Sequence, residues 1–210
     1  MKTIVITGPS GSGKSYLTDK LAKLFYNSII IKTDSYYRDN ILIRLLSIVL
    51  YDIYDRPFSL KNDELCNTVR SIYKKDKSIS LFKYDFKRKY SSKSKRFINY
   101  EENNQFLILE GIFAHRLNLN YKETINIVCE DEKELCFRRR LKRDQLERAR
   151  DRREVFKKFN KSWYLFYKNI NNKKKVPNLI TLNTSDELSY NKLLNNLQKI
   201  LSNKKTKKNI

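Results

Sequence analysis

The chain contains four glycines, and three of them, Gly8, Gly11 and Gly13, fall within Gly8-Pro9-Ser10-Gly11-Ser12-Gly13-Lys14-Ser15. That segment fits G-x-x-x-x-G-K-S/T, in which bare backbone curls its N–H groups around phosphate oxygens. Lys14 is then expected to reach the β- and γ-phosphates of a nucleoside triphosphate and Ser15 to hold Mg²⁺. Pro9, Ser10, Ser12 and Tyr16 complete the expected nucleotide-binding set. An ordinary Gly/Ser turn is the alternative. Against it stands the context: a β-branched run, Lys2 to Thr7, precedes the loop, and Leu17, Leu21, Leu24 and Phe25 follow at helical spacing.

Two carboxylates fall where such a loop needs them. Asp34 directly follows the apolar run Ser28 to Thr33, and strand carboxyl ends form the ligand crevice of an open parallel sheet. There it can act as the general base that accepts the proton of an attacking hydroxyl; the alternative is an aspartate that caps the turn through Ser35. Glu110 closes the run Phe106 to Leu109 and precedes Gly111, the one glycine outside the loop, which makes it a candidate for orienting Mg²⁺. A third group is cationic: around Lys142, the residues Arg138, Arg139, Arg140, Arg143, Arg148, Arg150, Arg152 and Arg153 choose guanidinium in a chain that elsewhere prefers lysine. Planar forks suit phosphate better than ammonium does.

A phosphate loop alone does not name a reaction. The Asn-Lys-x-Asp string that reads guanine is absent, and 210 residues are short for a motor or an oligomeric ATPase with added subdomains, so a small-molecule kinase is the economical reading. The net charge of +22 could point to nucleic acid, but it accompanies an abundance of Lys, Asn, Ile and Tyr that reads as drift of the whole composition. No nucleic-acid partner is expected. No apolar run approaches the ~18 residues of a membrane span and no signal peptide opens the chain, so a cytoplasmic protein without a membrane partner is expected. Cys66, Cys129 and Cys136 match neither a disulfide framework nor zinc spacing and read as buried thiols.

The elements that must position these residues read as one α/β domain over 1–202, with a basic tail at 203–210 expected to be disordered. Five buried strands, in Lys2 to Thr7, Ser28 to Thr33, Gln105 to Leu109, Thr124 to Cys129 and Asn178 to Asn183, predict a central parallel sheet between two helical layers. Ile41 to Tyr51 and Glu64 to Tyr73 read as helices, and Tyr84 to Tyr100 as a hairpin or loop. Glu130 to Ile170 reads as helical, with Phe156, Phe159, Trp163, Phe166 and Tyr167 packed on the core. Ser185 is the expected cap of a last helix running to about Leu201.

In chain order these segments resemble the uridine kinase family of the phosphoribulokinase/uridine kinase group. The resemblance rests on Gly8 to Ser15, Thr33-Asp34-Ser35-Tyr36-Tyr37-Arg38, Tyr54-Asp55-Arg56-Pro57-Phe58, Tyr84-Asp85-Phe86, Glu110-Gly111-Ile112, and Arg139 to Asp144 followed by Glu147 to Asp151. It implies a three-layer P-loop kinase fold with a helical lid at about 138–155 and a small substrate-binding insertion at about 51–100. It further implies that Asp34 activates a sugar 5′-hydroxyl, that Asp55 binds the ribose hydroxyls, and that Tyr37, Tyr54, Tyr84 and Phe86 line the base pocket. Arg140 and Arg150 would contact substrate near the transferred group, while Arg143 and Arg148 clamp the donor phosphates, Arg143 with a catalytic share. A solvated helix face is the alternative for these arginines.

The expected reaction is Mg²⁺-dependent transfer of phosphate from ATP or GTP to the 5′-hydroxyl of uridine or cytidine, as in pyrimidine salvage. Family likeness further implies a homotetramer. Two departures bear on the acceptor. The family's base-contacting histidine after Tyr84-Asp85-Phe86 is replaced by Lys87-Arg88-Lys89, and the polar amide beyond Arg150 is missing. The only histidine, His115, reads as a surface or loop residue. Another acceptor on the same fold is therefore the alternative: nicotinamide riboside, pantothenate or a sugar phosphate. A nucleic-acid-binding, nucleotide-dependent protein is a more distant one. A dead regulator is disfavoured by the presence together of Lys14, Ser15, Asp34 and Glu110.

Overall fold

The computed structural model describes residues 1–43, 45, 56–85, 88, 90–100, 105–117, 124–171 and 179–202. In chain order the elements are β1 (Lys2–Thr7), α1 (Lys14–Leu24), β2 (Ile29–Lys32), α2 (Asn62–Tyr73), β3 (Ser78–Asp85) and β4 (Tyr90–Phe97). They continue with β5 (Phe106–Glu110), β6 (Thr124–Glu130), α3 (Lys133–Arg148), α4 (Arg152–Asn171), β7 (Leu179–Asn183) and α5 (Glu187–Ser202). The basic tail at 203–210 and most of the helix expected over Ile41 to Tyr51 lie outside the described residues; 41–43 and 45 are helical.

Five strands form one sheet in the order β2-β5-β1-β6-β7, every neighbouring pair parallel. The register sets Ile4 of β1 beside Ile108 of β5 and Ile125 of β6, so the β-branched run predicted from sequence becomes the sheet centre. All five residues of β5 are buried, as they must be in a strand covered on both faces. One face packs Ile4, Ile6 and Ile127 against Leu17 and Leu21 of α1 and Leu193 and Leu197 of α5. The other packs Val5, Ile31, Leu107 and Leu109 against Leu65, Val69 and Ile72 of α2. A second cluster on that side joins Val128, Ile112 and Phe113 to Phe166 of α4. These are the three layers expected of the fold.

The chain after β2 makes a 3₁₀ turn, Thr33–Tyr36, which α2 braces. The Tyr36 hydroxyl donates to Thr68 Oγ1 at 3.1 Å, and the Lys61 N–H donates to the Tyr36 carbonyl at 2.7 Å. The Arg38 N–H completes the brace on the Ser59 carbonyl at 2.7 Å. α2 thus anchors the turn that carries Asp34. Tyr84 to Tyr100 holds an antiparallel hairpin whose first strand, β3, begins earlier, at Ser78.

Four expectations are corrected here. The stretch Glu130 to Ile170 is not one helix: α3 ends at Ala149, a left-handed residue with φ 51°, and α4 restarts at Arg152. The Glu154 N–H donates to Asp151 Oδ1 at 2.9 Å, so Asp151 caps the new helix. At the start of α5 the capping side chain is Asp186, which accepts from the Leu188 N–H at 3.1 Å; Ser185 donates instead to Asp131. Among the aromatics of α4, Phe159 and Phe166 are core residues, but Phe156 is exposed and meets Phe137 edge-on. Cys129 and Cys136 are buried, and burial pushes their thiols up to about 12 and about 11, whereas Cys66 is only half-buried. No helix among the described residues is long and apolar enough to cross a membrane.

Because α2 both fills the core and holds the turn carrying Asp34, Leu65→Ala is expected to lower unfolding free energy by about 2–5 kcal/mol in urea denaturation. A loss well under 1 kcal/mol would show that α2 is not part of the cooperative core.

Candidate active site

The phosphate loop leaves β1 at its carboxyl end and enters α1 at Lys14. Gly13 sits at the helix N-cap with φ 83°, so the first N–H groups of α1 face the loop and are available to an anion. Gly11, with φ 86°, is needed for a second reason: a Cβ there would lie 2.1 Å from the Cys136 carbonyl oxygen, where α3 passes over the loop. Lys14 is nearly buried, and its Nζ donates to the Pro9 carbonyl at 2.9 Å, which holds the ammonium across the loop. Ser15 Oγ donates to Glu110 Oε1 at 3.0 Å, joining the loop to the end of β5. Tyr16, beside it, is mostly exposed and lies 5.8 Å from the Tyr190 ring.

Asp34 reaches the same mouth from β2. Its residue is only partly covered, yet Oδ1 is enclosed and has no hydrogen-bond partner. The carboxyl is pushed above the usual range first by burial and next by the Glu110 carboxylate, while Lys14, Arg143 and Arg148 pull it back down. Gly111 makes the approach of the two carboxylates feasible: a Cβ there would lie 1.7 Å from Thr33 Oγ1 and 3.3 Å from Asp34 Oδ1. Glu110 Oε2 is likewise enclosed without a hydrogen-bond partner. The partnerless Oε2 of Glu110 and the Ser15 hydroxyl beside the phosphate cradle fit Mg²⁺, which takes one or two protein oxygens and leaves the rest of its sphere to phosphate and water. Among the described residues no cluster of three or more His, Cys, Asp or Glu offers a fuller metal cage.

The arginines of α3 come to the loop from the other side. Arg143 Nη2 lies 3.4 Å from Ser10 Oγ, and Arg139 Nη1 lies 3.4 Å from the Gly11 carbonyl oxygen. Arg148 and Arg150 gather with Arg143 around Asp144, at 3.5, 3.0 and 2.8 Å. Arg148, enclosed beside Arg143, Arg150 and Arg140, is held below the usual arginine range by burial first and by those like charges next. Arg140 is placed differently from Arg143. It is buried between α3 and α4, its Nη1 donating to Ser162 Oγ at 2.6 Å, where it joins the two helices.

The expected base pocket is only partly visible. Tyr37 and Tyr84 do meet, ring edge to ring face at 5.5 Å, but both are buried in the cluster with Phe113 and Phe166. Tyr54, Asp55 and Phe86 lie outside the described residues. His115 is not a surface residue: it is buried behind the loop, its Nδ1 3.0 Å from Thr7 Oγ1 and its ring edge against Phe166. The apolar seat between β1 and α4 encloses it. Sequence reasoning missed Asp131, just past the end of β6, whose Oδ2 accepts from Arg139 at 2.8 Å, from Thr184 Oγ1 at 3.0 Å and from Ser185 Oγ. Thr184 also donates to the Ser12 carbonyl at 3.0 Å, so Asp131 ties the phosphate loop to the turn after β7. The strand-tip rule that selects Asp34 and Glu110 would have selected Asp131 as well.

A parallel sheet in this strand order, with its phosphate loop after β1 and carboxylates at the tips of β2 and β5, defines a P-loop protein of the kinase type. The chain belongs to the phosphoribulokinase/uridine kinase family, whose description matches residues 3–188. It is 29% identical over 159 residues to a uridine kinase of Macrococcus caseolyticus, covering 74% of this chain and 75% of that one. A uridine kinase of Haemophilus ducreyi is 32% identical over 168 residues, covering 76% and 74%. The fold is also that of a candidate fructose transport system kinase from a Silicibacter species, with TM-score 0.64, 15% identity, and coverage of 86% and 89%.

Two outcomes follow from this geometry. Gly111→Ala must displace Thr33 and Asp34, so the folded variant is expected to lose about 100-fold in kcat; unchanged turnover would mean that Asp34 does not need its observed position. Asp144 supplies a pH effect. Burial alone would raise its carboxyl, but Arg143, Arg148 and Arg140 together hold it below the usual range. A lowered folded-state pKa adds stability that is complete above the unfolded value of about 4 and is lost as pH falls through the folded one. Denaturation curves between neutral pH and about pH 3 are therefore expected to fall more steeply for the wild type than for Asp144→Asn, and parallel curves would contradict this.

Proposed function

We propose that this protein transfers the γ-phosphoryl group of ATP or GTP, with Mg²⁺, to the 5′-hydroxyl of a nucleoside, with uridine or cytidine as the acceptor. The observation that carries the reading is the enclosed, partnerless Oδ1 of Asp34, on a carboxylate close enough to Lys14 and Glu110 to feel both charges. Phosphoryl transfer passes through a loose transition state with charge spread over the equatorial oxygens, so the protein's work is placement and neutralisation. Asp34 accepts the proton of the acceptor hydroxyl as its oxygen closes on phosphorus. A raised pKa favours that step, because a stronger base at the operating pH takes the proton more readily.

Lys14 and the α1 N-terminus meet the β- and γ-phosphates, and Arg143, already at Ser10, meets the charge that develops on the transferred group. Ser15 and Glu110 would hold Mg²⁺, which when bound neutralises and orients the phosphate oxygens. Support for a nucleoside acceptor comes from the family and from uridine kinases at about 30% identity rather than from a described base pocket. A second reading keeps the reaction and changes the acceptor to nicotinamide riboside, pantothenate or a sugar phosphate. It is favoured by Lys87-Arg88-Lys89 standing where the family has histidine, because loss of a buried hydrogen-bonding group relaxes discrimination among bases.

A panel of nucleosides and the other acceptors, incubated with Mg·ATP and resolved by chromatography, is expected to yield UMP and CMP. Nucleotide binding with no nucleoside 5′-monophosphate formed would overturn the nucleoside assignment. On the productive acceptor, Asp34→Asn is expected to lower kcat about 10²–10⁴-fold with donor KM within about threefold, and Lys14→Ala to abolish turnover. Full activity of the asparagine variant would remove Asp34 from the mechanism.

A further inference from the structure

Of the charged residues outside the steps above, Asp144 is the most enclosed: its side chain is 0% exposed, on a helix whose mean composition is strongly polar. Each of its oxygens serves two guanidinium groups. Oδ1 accepts from Arg143 Nε at 3.0 Å and Nη2 at 2.8 Å and lies 3.5 Å from Arg148 Nη1. Oδ2 accepts from Arg150 Nη1 at 3.0 Å and lies 3.6 Å from Arg140 Nε. Its carbonyl oxygen also receives the N–H groups of Ala149 and Arg150, which closes the break between α3 and α4. Four cations thus converge on one buried anion, and a second carboxylate, Glu154, lies 3.4 Å from Arg150.

The four guanidinium groups are not equivalent. Arg140 is buried, and Arg148 and Arg150 are about one-fifth exposed, whereas the Arg143 side chain is 38% exposed. Arg143 also touches the phosphate loop, at Ser10. Its Nε and Nη2 seat on Asp144, the same Nη2 turns towards Ser10, and Nη1 enters neither contact.

We infer that Asp144 is a positioning residue for the phosphate clamp: its buried carboxylate holds the Nε/Nη2 edge of Arg143 so that the second N–H of Nη2 is turned to the phosphate loop at Ser10. An arginine released from that seat must be ordered by the ligand itself, and the neighbouring guanidinium groups, left without their shared anion, repel it from the place where the phosphate lies. Asp144, fully enclosed by the guanidinium groups, acts through Arg143.

The inference rests on the proposed function only in that a polyphosphate occupies the loop; the acceptor does not enter. Inorganic tripolyphosphate is therefore the probe, titrated calorimetrically into the wild type, Asp144→Asn, Arg143→Ala and the double variant. Each single variant is expected to bind about tenfold more weakly than the wild type, and the double variant no more than about twofold more weakly than Arg143→Ala alone. A purely structural aspartate would lower thermal stability without this non-additivity. Undiminished affinity in Asp144→Asn, a further tenfold loss in the Arg143→Ala background, or absence of binding by the wild type overturns the inference. Should Asp144→Asn fail to fold by circular dichroism, Asp144→Glu keeps the charge and moves it by one methylene. Its expected loss is about threefold, absent again in the Arg143→Ala background, and wild-type affinity overturns the inference equally. Failure of the acceptor panel with this cycle intact would remove the nucleoside alone.

Discussion

Opposite charges gather at one edge of the sheet in this protein without neutralising one another, and the rest of the architecture serves that separation. At ~4 Å and an effective dielectric near 20, an unrestrained lysine and carboxylate attract by about 4 kcal/mol, enough to collapse them together and leave nothing for a ligand. Each charge is instead tethered elsewhere. Lys14 is held on the Pro9 carbonyl, one oxygen of Glu110 on Ser15, and Arg143 on Asp144. Asp34 keeps its Oδ1 without a hydrogen-bond partner, and its raised pKa records the burial that this separation costs.

The tethers arrive on different elements, and their convergence is a property of parallel sheets. β1, β2, β5 and β6 all point their carboxyl ends the same way, so the loop, Asp34, Glu110 and Asp131 are delivered to one edge although they are far apart in the chain. That much was legible in the sequence, because a buried parallel strand writes itself as an unbroken apolar run and the residue after the run is at the edge by construction. Gly111 was legible as a position demanding bare backbone, though only the structure shows that the demand comes from Thr33 and Asp34.

What escaped sequence reading was decided by local hydrogen bonding or by partners remote in the chain. The break between α3 and α4 falls inside an unbroken run of good helix formers, and its only written sign is Asp151-Arg-Arg-Glu154, a short acidic residue followed three places on by glutamate. Asp186 prevailed over Ser185 as a cap because Asp131, on another element, takes the serine hydroxyl. His115 looked like a loop residue because its neighbours in sequence are mixed, and it is buried because Thr7 and Phe166 enclose it. Tyr37 and Tyr84 have the residue types of a stacking pocket, but their partners are aliphatic and aromatic core residues, a distinction that composition does not carry.

α3 shows how the same physics reaches the helix that passes over the phosphate loop. A surface helix normally buries an apolar stripe, but the buried positions of α3 are Cys136, Arg140 and Asp144, spaced four apart, so two of its three inward residues are ionised. An apolar stripe would fasten the helix permanently. A buried ion pair roughly balances its desolvation against its Coulomb attraction, so this stripe adds specificity of placement with little net adhesion. Apolar fastening is left to Phe137 against Phe159 and Phe156. The helix is thereby located by charge as well as by apolar contact. Arginine, rather than the lysine favoured elsewhere in the chain, suits such a helix, because its five donors let one side chain bind the buried aspartate and still present N–H groups to the phosphate loop.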